Sequence, residues 1–119
     1  MPAWPFSSKY RLFLDDERLP AKKDTDMVVA RSVSQACDCI ATRGCPVFIS
    51  FDHDLGDESN GTGYSFARWL VEQDLNAKGG FFPEGFSFTV HSQNPVGAVN
   101  IKAFLEGYLE FKSKNPVTP

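Results

Sequence analysis

Two short acidic runs stand out in the sequence, Asp15-Asp16 and Asp52-His53-Asp54, each directly after a run of apolar residues. Carboxylates gathered at one place repel one another, which raises some of their pKa values and destabilises the fold unless a positive charge sits among them. A hard divalent cation answers that need. Mg²⁺ prefers oxygen ligands, keeps several waters and is commonly completed by a substrate phosphate; Mn²⁺ or Ca²⁺ suits the same ligands. Asp15, Asp16, Asp52 and Asp54 are therefore the candidate metal ligands. The competing reading has these acids capping loops and pairing with Arg18, Lys22 or Lys23; a doublet plus a triplet, each closing an apolar run, favours the metal. His53 and His91 are the only two histidines, and both are expected at strand ends beside the acidic cluster. Imidazole titrates near neutral pH, so each is a candidate acid or base in phosphate-ester chemistry, with Asp52 beside them. A structural histidine satisfied by a neighbouring carboxylate is the alternative for either one. Ser92 and the backbone from Asn94 onward lie at a helix start, which suits a phosphate oxygen. Arg18 and Arg31 offer cations for further phosphate contacts, or ordinary surface charge. Gly61 and Gly63 in NGTGY read equally as a phosphate cradle or as a flexible turn.

Four short apolar runs must position these groups. Residues 10–14, 27–30, 47–51 and 86–90 read as strands, the third most clearly, because β-branched and aromatic residues follow Pro46 without interruption. Between them lie helical patterns. The first is capped by Ser32 or Ser34, carries Val33, Ala36, Cys37, Ile40 and Ala41 at helical spacing, and stops at Gly44. The second presents Phe66, Ala67, Leu70 and Val71, extended by Leu75. The third opens at Asn94-Pro95, with Asn as N-cap and Pro in the first turn, and carries Val96, Val99, Ala103, Phe104, Tyr108 and Phe111. The stretch DERLPAKKDTD lacks helical periodicity and reads as a long loop. Phe81 and Phe82 belong to a loop at the sheet edge away from the acids and are expected to pack on the domain rather than to stack on a base. Strands alternating with helices predict a parallel α/β sheet covered on both faces. In such sheets ligands bind beyond the carboxyl ends of the strands, where all the candidate residues fall.

The 119 residues suit one domain, expected over residues 10–112, with an arm over residues 1–9 bearing Trp4 and Phe6 and a polar tail over 113–119. Net charge is −3 and the isoelectric point about 5.3, so no strong general attraction to nucleic acid is expected. Cys37, Cys39 and Cys45 form no C-x-x-C, and the odd count fits reduced thiols in the cytoplasm. No leader or membrane-spanning run is legible, so a cytoplasmic protein with no membrane partner is expected.

The order of parts resembles the receiver (CheY-like) domains of two-component signalling. That resemblance implies a metal-binding pair at Asp15 and Asp16, a phospho-acceptor at Asp52, a metal-touching backbone carbonyl at Asp54 and the receiver hydroxyl at Ser92. The expected fold is a compact receiver-like α/β sheet of about four parallel strands, order 2-1-3-4, with three helices. The usual first helix is replaced by RLPAKKDTD, and the fifth strand-helix unit with its phosphate-holding lysine is expected to be absent. More specifically, LFLDDERLP, ISFDHDLG, TGYSFARWLVE and FTVHSQNPVGAVNI resemble the signature blocks of cyclic-phosphate-processing receiver-like domains, from about residue 10 to 109. This resemblance implies action on a cyclic phosphate, such as the 2',3'-cyclic end of RNA or a cyclic nucleotide. Three readings follow: a Mg²⁺-dependent phosphoesterase, a non-catalytic binding module for the same small phosphorylated ligand, and a degenerate phospho-receiver.

Overall fold

The computed structural model describes residues 10–24, 26–56 and 58–114. The expected arm over residues 1–9 and the end of the tail lie outside the described residues. Four short apolar segments form the strands: β1 (Arg11–Leu14), β2 (Val28–Ala30), β3 (Phe48–Phe51) and β4 (Ser87–Val90). They pair in parallel in the expected order, β2-β1-β3-β4. Register places Leu12 beside Val28 and Ile49, and Phe51 beside Leu14 and Val90. Successive side chains alternate between faces. Leu12, Leu14, Ile49 and Phe51 are fully buried on one face, while Phe13 and Ser50 lie on the other.

Three helices complete the domain: α1 (Val33–Arg43), α2 (Gly63–Asn76) and α3 (Pro95–Lys114). Ala36 and Ile40 of α1, Phe66, Ala67 and Leu70 of α2, and Ile101 and Leu105 of α3 join Leu12, Leu14, Ile49 and Phe51 in one core. All three helices therefore share a single face of the sheet, with α2 in the middle, touching both others. This corrects the expectation of helices on both faces. The crossover from β1 to β2 would supply the missing cover, but this polar, proline-containing loop forms a single 3₁₀ turn (Lys22–Asp24) among its described residues. Arg11, on the helix-free face, pins the loop instead through Asp24 at 3.0 Å and Asp26 at 2.6 Å.

The helix boundaries follow capping chemistry. The Ser32 side chain accepts the Gln35 N–H at the start of α1, and Gly44, at φ 86°, closes it by donating its N–H to Ile40 O at 2.7 Å. Thr62 and Ser65 form a reciprocal capping box on α2. The Asn94 side-chain oxygen accepts the Gly97 N–H on α3 at 2.9 Å. Two buried faces differ from expectation. Leu75 is 58% exposed, because the inward stripe of α2 runs through Leu70 and Val71 to Asp74, one residue earlier. A carboxylate can end that stripe because its partners are all present. Asp74 accepts N–H bonds from Phe81 and Phe82 at 3.0 Å each, the Tyr108 hydroxyl at 2.5 Å and the Lys112 ammonium at 3.0 Å. Phe81 and Phe82 are thereby held in the core, as expected. On α3, Gly97, Ile101 and Leu105 face inward, leaving Val96 and Val99 exposed at 68% and 65% and Ala103 and Phe111 outside as well.

Candidate active site

Asp15, the first residue after β1, is fully buried. Its Oδ1 accepts the N–H groups of Glu17 and Arg18 at 3.0 and 2.9 Å, so the chain turns sharply around the carboxylate as β1 ends. Its Oδ2 lies 2.9 Å from His91 Nε2 and 3.8 Å from Arg18 Nε. Burial pushes the Asp15 pKa up, but the two N–H groups and the His91 bond outweigh it and hold the group below the ordinary carboxylate value. His91 follows β4, and its ring turns back over the helix-free face. It stacks flat on Phe13, with centroids 4.6 Å apart, and its Nδ1 lies 2.6 Å from Ser50 Oγ. A carboxylate only accepts, so Nε2 carries a proton toward Asp15; Nδ1 accepts the Ser50 hydroxyl when the ring is neutral and donates to Ser50 Oγ when it is an imidazolium. Asp52, directly after β3, completes the group. Ligand atoms of Asp15, Asp52 and His91 all lie within 4.8 Å of one another. Asp52 is buried, and its carboxylate makes no hydrogen bond or ion pair among the described residues.

Alternation sends the next residue, His53, to the helix face. Its Nδ1 lies 2.8 Å from Asp54 Oδ1, and Asn94 Nδ2 reaches both Asp54 oxygens at 3.3 Å. The His53 bond first, and then Asn94, lower the Asp54 pKa. The His53 ring lies against the first turn of α3, where a Cβ at Gly97 would stand 2.6 Å from Cδ2 and 2.8 Å from Nδ1. Only glycine leaves room for the ring there. The N-terminus of α2 closes on the same strand end: Gly63 donates its N–H to His53 O at 2.9 Å, and its Cα sits against the Asp52 carbonyl. The NGTG turn thus docks α2 on the site backbone.

The structure brings Asp15, Asp52 and His91 together on one side of the strand ends and His53, Asp54 and Asn94 on the other. Asp16 stands outside the Asp15–Asp52–His91 group, with its Oδ2 against Gly56, whose φ is 77°. Arg31 Nη1 donates to the carbonyls of Asp15 at 2.9 Å and Arg18 at 2.5 Å, tying the β1–β2 loop to the end of β2. Ser92 Oγ accepts the Asn94 N–H at 3.0 Å. Sequence reasoning missed Ser50, Phe13 and Gly97 as partners of the histidines. One signal was present: Ser50 is the lone polar residue within the apolar run VFISF.

Two carboxylates, one without a partner among the described residues, form an oxygen-rich donor set that fits a hard divalent cation. No helix among the described residues is long and apolar enough to cross a membrane. No curated protein and no solved structure matches the chain. Residues 10–107 match the family model described as the cyclic-phosphate processing receiver domain. That match spans both acidic strand ends, both histidines, α1, α2 and the first part of α3, so the chain belongs to the cyclic-phosphate processing receiver domain family.

Proposed function

We propose that the chain is a metal-dependent phosphoesterase that opens a cyclic phosphodiester, either a 2',3'-cyclic RNA end or a cyclic nucleotide. The observation that carries this reading is the Asp15–Asp52–His91 group, with ligand atoms within 4.8 Å of one another, in a chain of a cyclic-phosphate processing family. Asp15 and Asp52 would hold the cation, with Asp16 and the Asp54 backbone carbonyl as further oxygen donors. Mg²⁺ is the expected ion, Mn²⁺ or Ca²⁺ the alternatives. When bound, it supplies polarisation of a phosphate oxygen and a more acidic water.

The chain's own residues do the proton work. Asp54, held by Asn94, keeps the proton of His53 on Nδ1, so Nε2 is free to take a proton from the attacking water. The water oxygen bonds to phosphorus as the ring P–O bond breaks, and the leaving oxygen takes a proton from His91 in its imidazolium form, which returns to the neutral ring. Ser50 and Phe13 fix the plane of the His91 ring for that transfer. Arg18 and the Ser92 hydroxyl reach for non-bridging phosphate oxygens, while Arg31 braces the loop that carries Arg18.

The test is incubation of the pure protein with Mg²⁺ and a panel of 2',3'- and 3',5'-cyclic nucleotides and cyclic-ended RNA, followed by ³¹P NMR. The expected result is a linear monoester, formed only with divalent metal and reduced at least about 100-fold in Asp52→Asn and His53→Ala. A folded protein with no turnover in any metal would refute the proposal. Stoichiometric binding that survives replacement of both histidines would then assign a binding module.

A further inference from the structure

We infer that this chain forms a two-fold symmetric dimer by pairing β4 with β4 of a second copy, extending the sheet to eight strands. β4 is an edge strand, bonded on one side to β3. Ser87 donates its N–H to Val47 and His91 to Phe51, so the odd-numbered residues face β3. Phe88 and Val90 therefore turn both N–H and C=O toward the open side, where no strand pairs among the described residues.

Soluble proteins guard such edges with charge, proline, bulges or very short strands. β2, at the other edge, has three residues and is followed directly by Arg31. β4 reads SFTV, one residue longer, and carries no charge or proline. Beside it, a groove of about 590 Å³ separates the strand from α3, lined by Phe88, Val90, Val99 and Leu109 and by the charged pair Lys102 and Glu106.

The occupant that fits is a second copy. In an antiparallel pair centred on Thr89, Phe88 of one chain lies opposite Val90 of the other, and all four outward-facing backbone groups of each chain find partners. The same axis sets Thr89 against its equivalent, a favourable cross-strand pair. A two-fold axis also sets residue i against j and j against i. Lys102 and Glu106, one turn apart and without ion-pair partners among the described residues, then meet Glu106 and Lys102 of the second copy. The groove is thus self-complementary in charge as well as in backbone. The pairing leaves the two Asp15–Asp52–His91 groups at opposite ends of the joined sheet, and it does not depend on the phosphoesterase proposal.

The experiment is sedimentation equilibrium of the full chain from about 1 to about 300 µM, with amide exchange measured over the same range. The expected mass rises to twice the 13.2 kDa monomer, with Phe88 and Val90 amides exchanging more slowly as concentration increases. Lys102→Glu should weaken association at least about tenfold by setting acid against acid, and Lys102→Glu/Glu106→Lys should restore it. A monomer at every concentration overturns the inference. So does a dimer indifferent to Lys102→Glu, or one in which the Phe88 and Val90 amides are unprotected.

Discussion

Asp74→Asn isolates what one buried charge does for this fold. The substitution keeps the shape and keeps Oδ1 for the Phe81 and Phe82 N–H groups, each at 3.0 Å. It removes the charge that faces Tyr108 at 2.5 Å and Lys112 at 3.0 Å. Breaking a buried ion pair costs about 3–5 kcal/mol, and the lower end applies because the Lys112 side chain is 26% exposed. About 3 kcal/mol is therefore expected, a downward shift of about 2 M in the urea midpoint. Trp69, which meets Phe81 edge-on at 6.3 Å, provides the fluorescence signal. Asp74→Ala also strands two buried N–H groups at about 1–3 kcal/mol each, enough to approach the whole stability of a small domain.

The pH dependence has a definite sign. Burial pushes the Asp74 pKa up, but the Tyr108 hydroxyl, the Phe82 N–H and Lys112 together bring it below the ordinary value of 3.8. A depressed folded pKa contributes stability that is complete above the unfolded value and is lost as pH falls through the folded one. The gap between wild type and Asp74→Asn should thus be constant near neutrality and close below about pH 4. A variant within 1 kcal/mol of wild type at pH 7, or a gap unchanged down to pH 3, would refute the reasoning.

Further outcomes follow from the site. Asp52→Asn should abolish the rise in Tm produced by divalent metal, yet raise the metal-free Tm by about 4 °C, because it relieves about 1 kcal/mol of repulsion with Asp15; thermal scans with and without Mg²⁺ test both signs. Gly97→Ala places a methyl group inside the His53 ring contact, so turnover should fall about 100-fold while adding nothing to the loss in His53→Ala, as steady-state kinetics of the double variant would show. Ser50→Ala removes the 2.6 Å bond to His91 Nδ1 and should lower kcat about tenfold with metal affinity, by calorimetry, unchanged.

Local chemistry made the strands and the caps at Ser32 or Ser34, Gly44 and Asn94 readable in the sequence, while the strand order came from the resemblance to receiver domains. Apolar runs and capping side chains act within a few residues, and the alternation of strand and helix leaves few topologies. The buried faces of α2 and α3 were harder. Val96 and Val99 are apolar but face out, and Asp74 is charged but faces in, because the phase of each helix is set by long-range partners: His53 against Gly97, and Phe81, Tyr108 and Lys112 against Asp74. At the site, residue type and strand-end position brought forward Asp15, Asp52 and both histidines. The division of the histidines between opposite sides of the sheet follows from alternation, with His53 two residues past β3 and His91 one residue past β4. The partners Ser50, Phe13 and Gly97 carry no signature of their own, since a serine, a phenylalanine and a glycine gain meaning only from what the fold sets beside them.

All three helices lie on one face of the sheet, while Asp15, Asp52 and His91 gather toward the other. A single layer of backbone is thus a partition between two kinds of mutational tolerance. Replacing Ile40, Leu70 or Leu105 should change how long the protein survives without changing the chemistry at His91. Replacing Ser50 should do the reverse, and losses from the two sets should simply add when combined. Such a layout lets durability and reactivity be tuned in separate lineages of substitutions, with His53, packed on Gly97 of α3, as a site residue that belongs to the helix side.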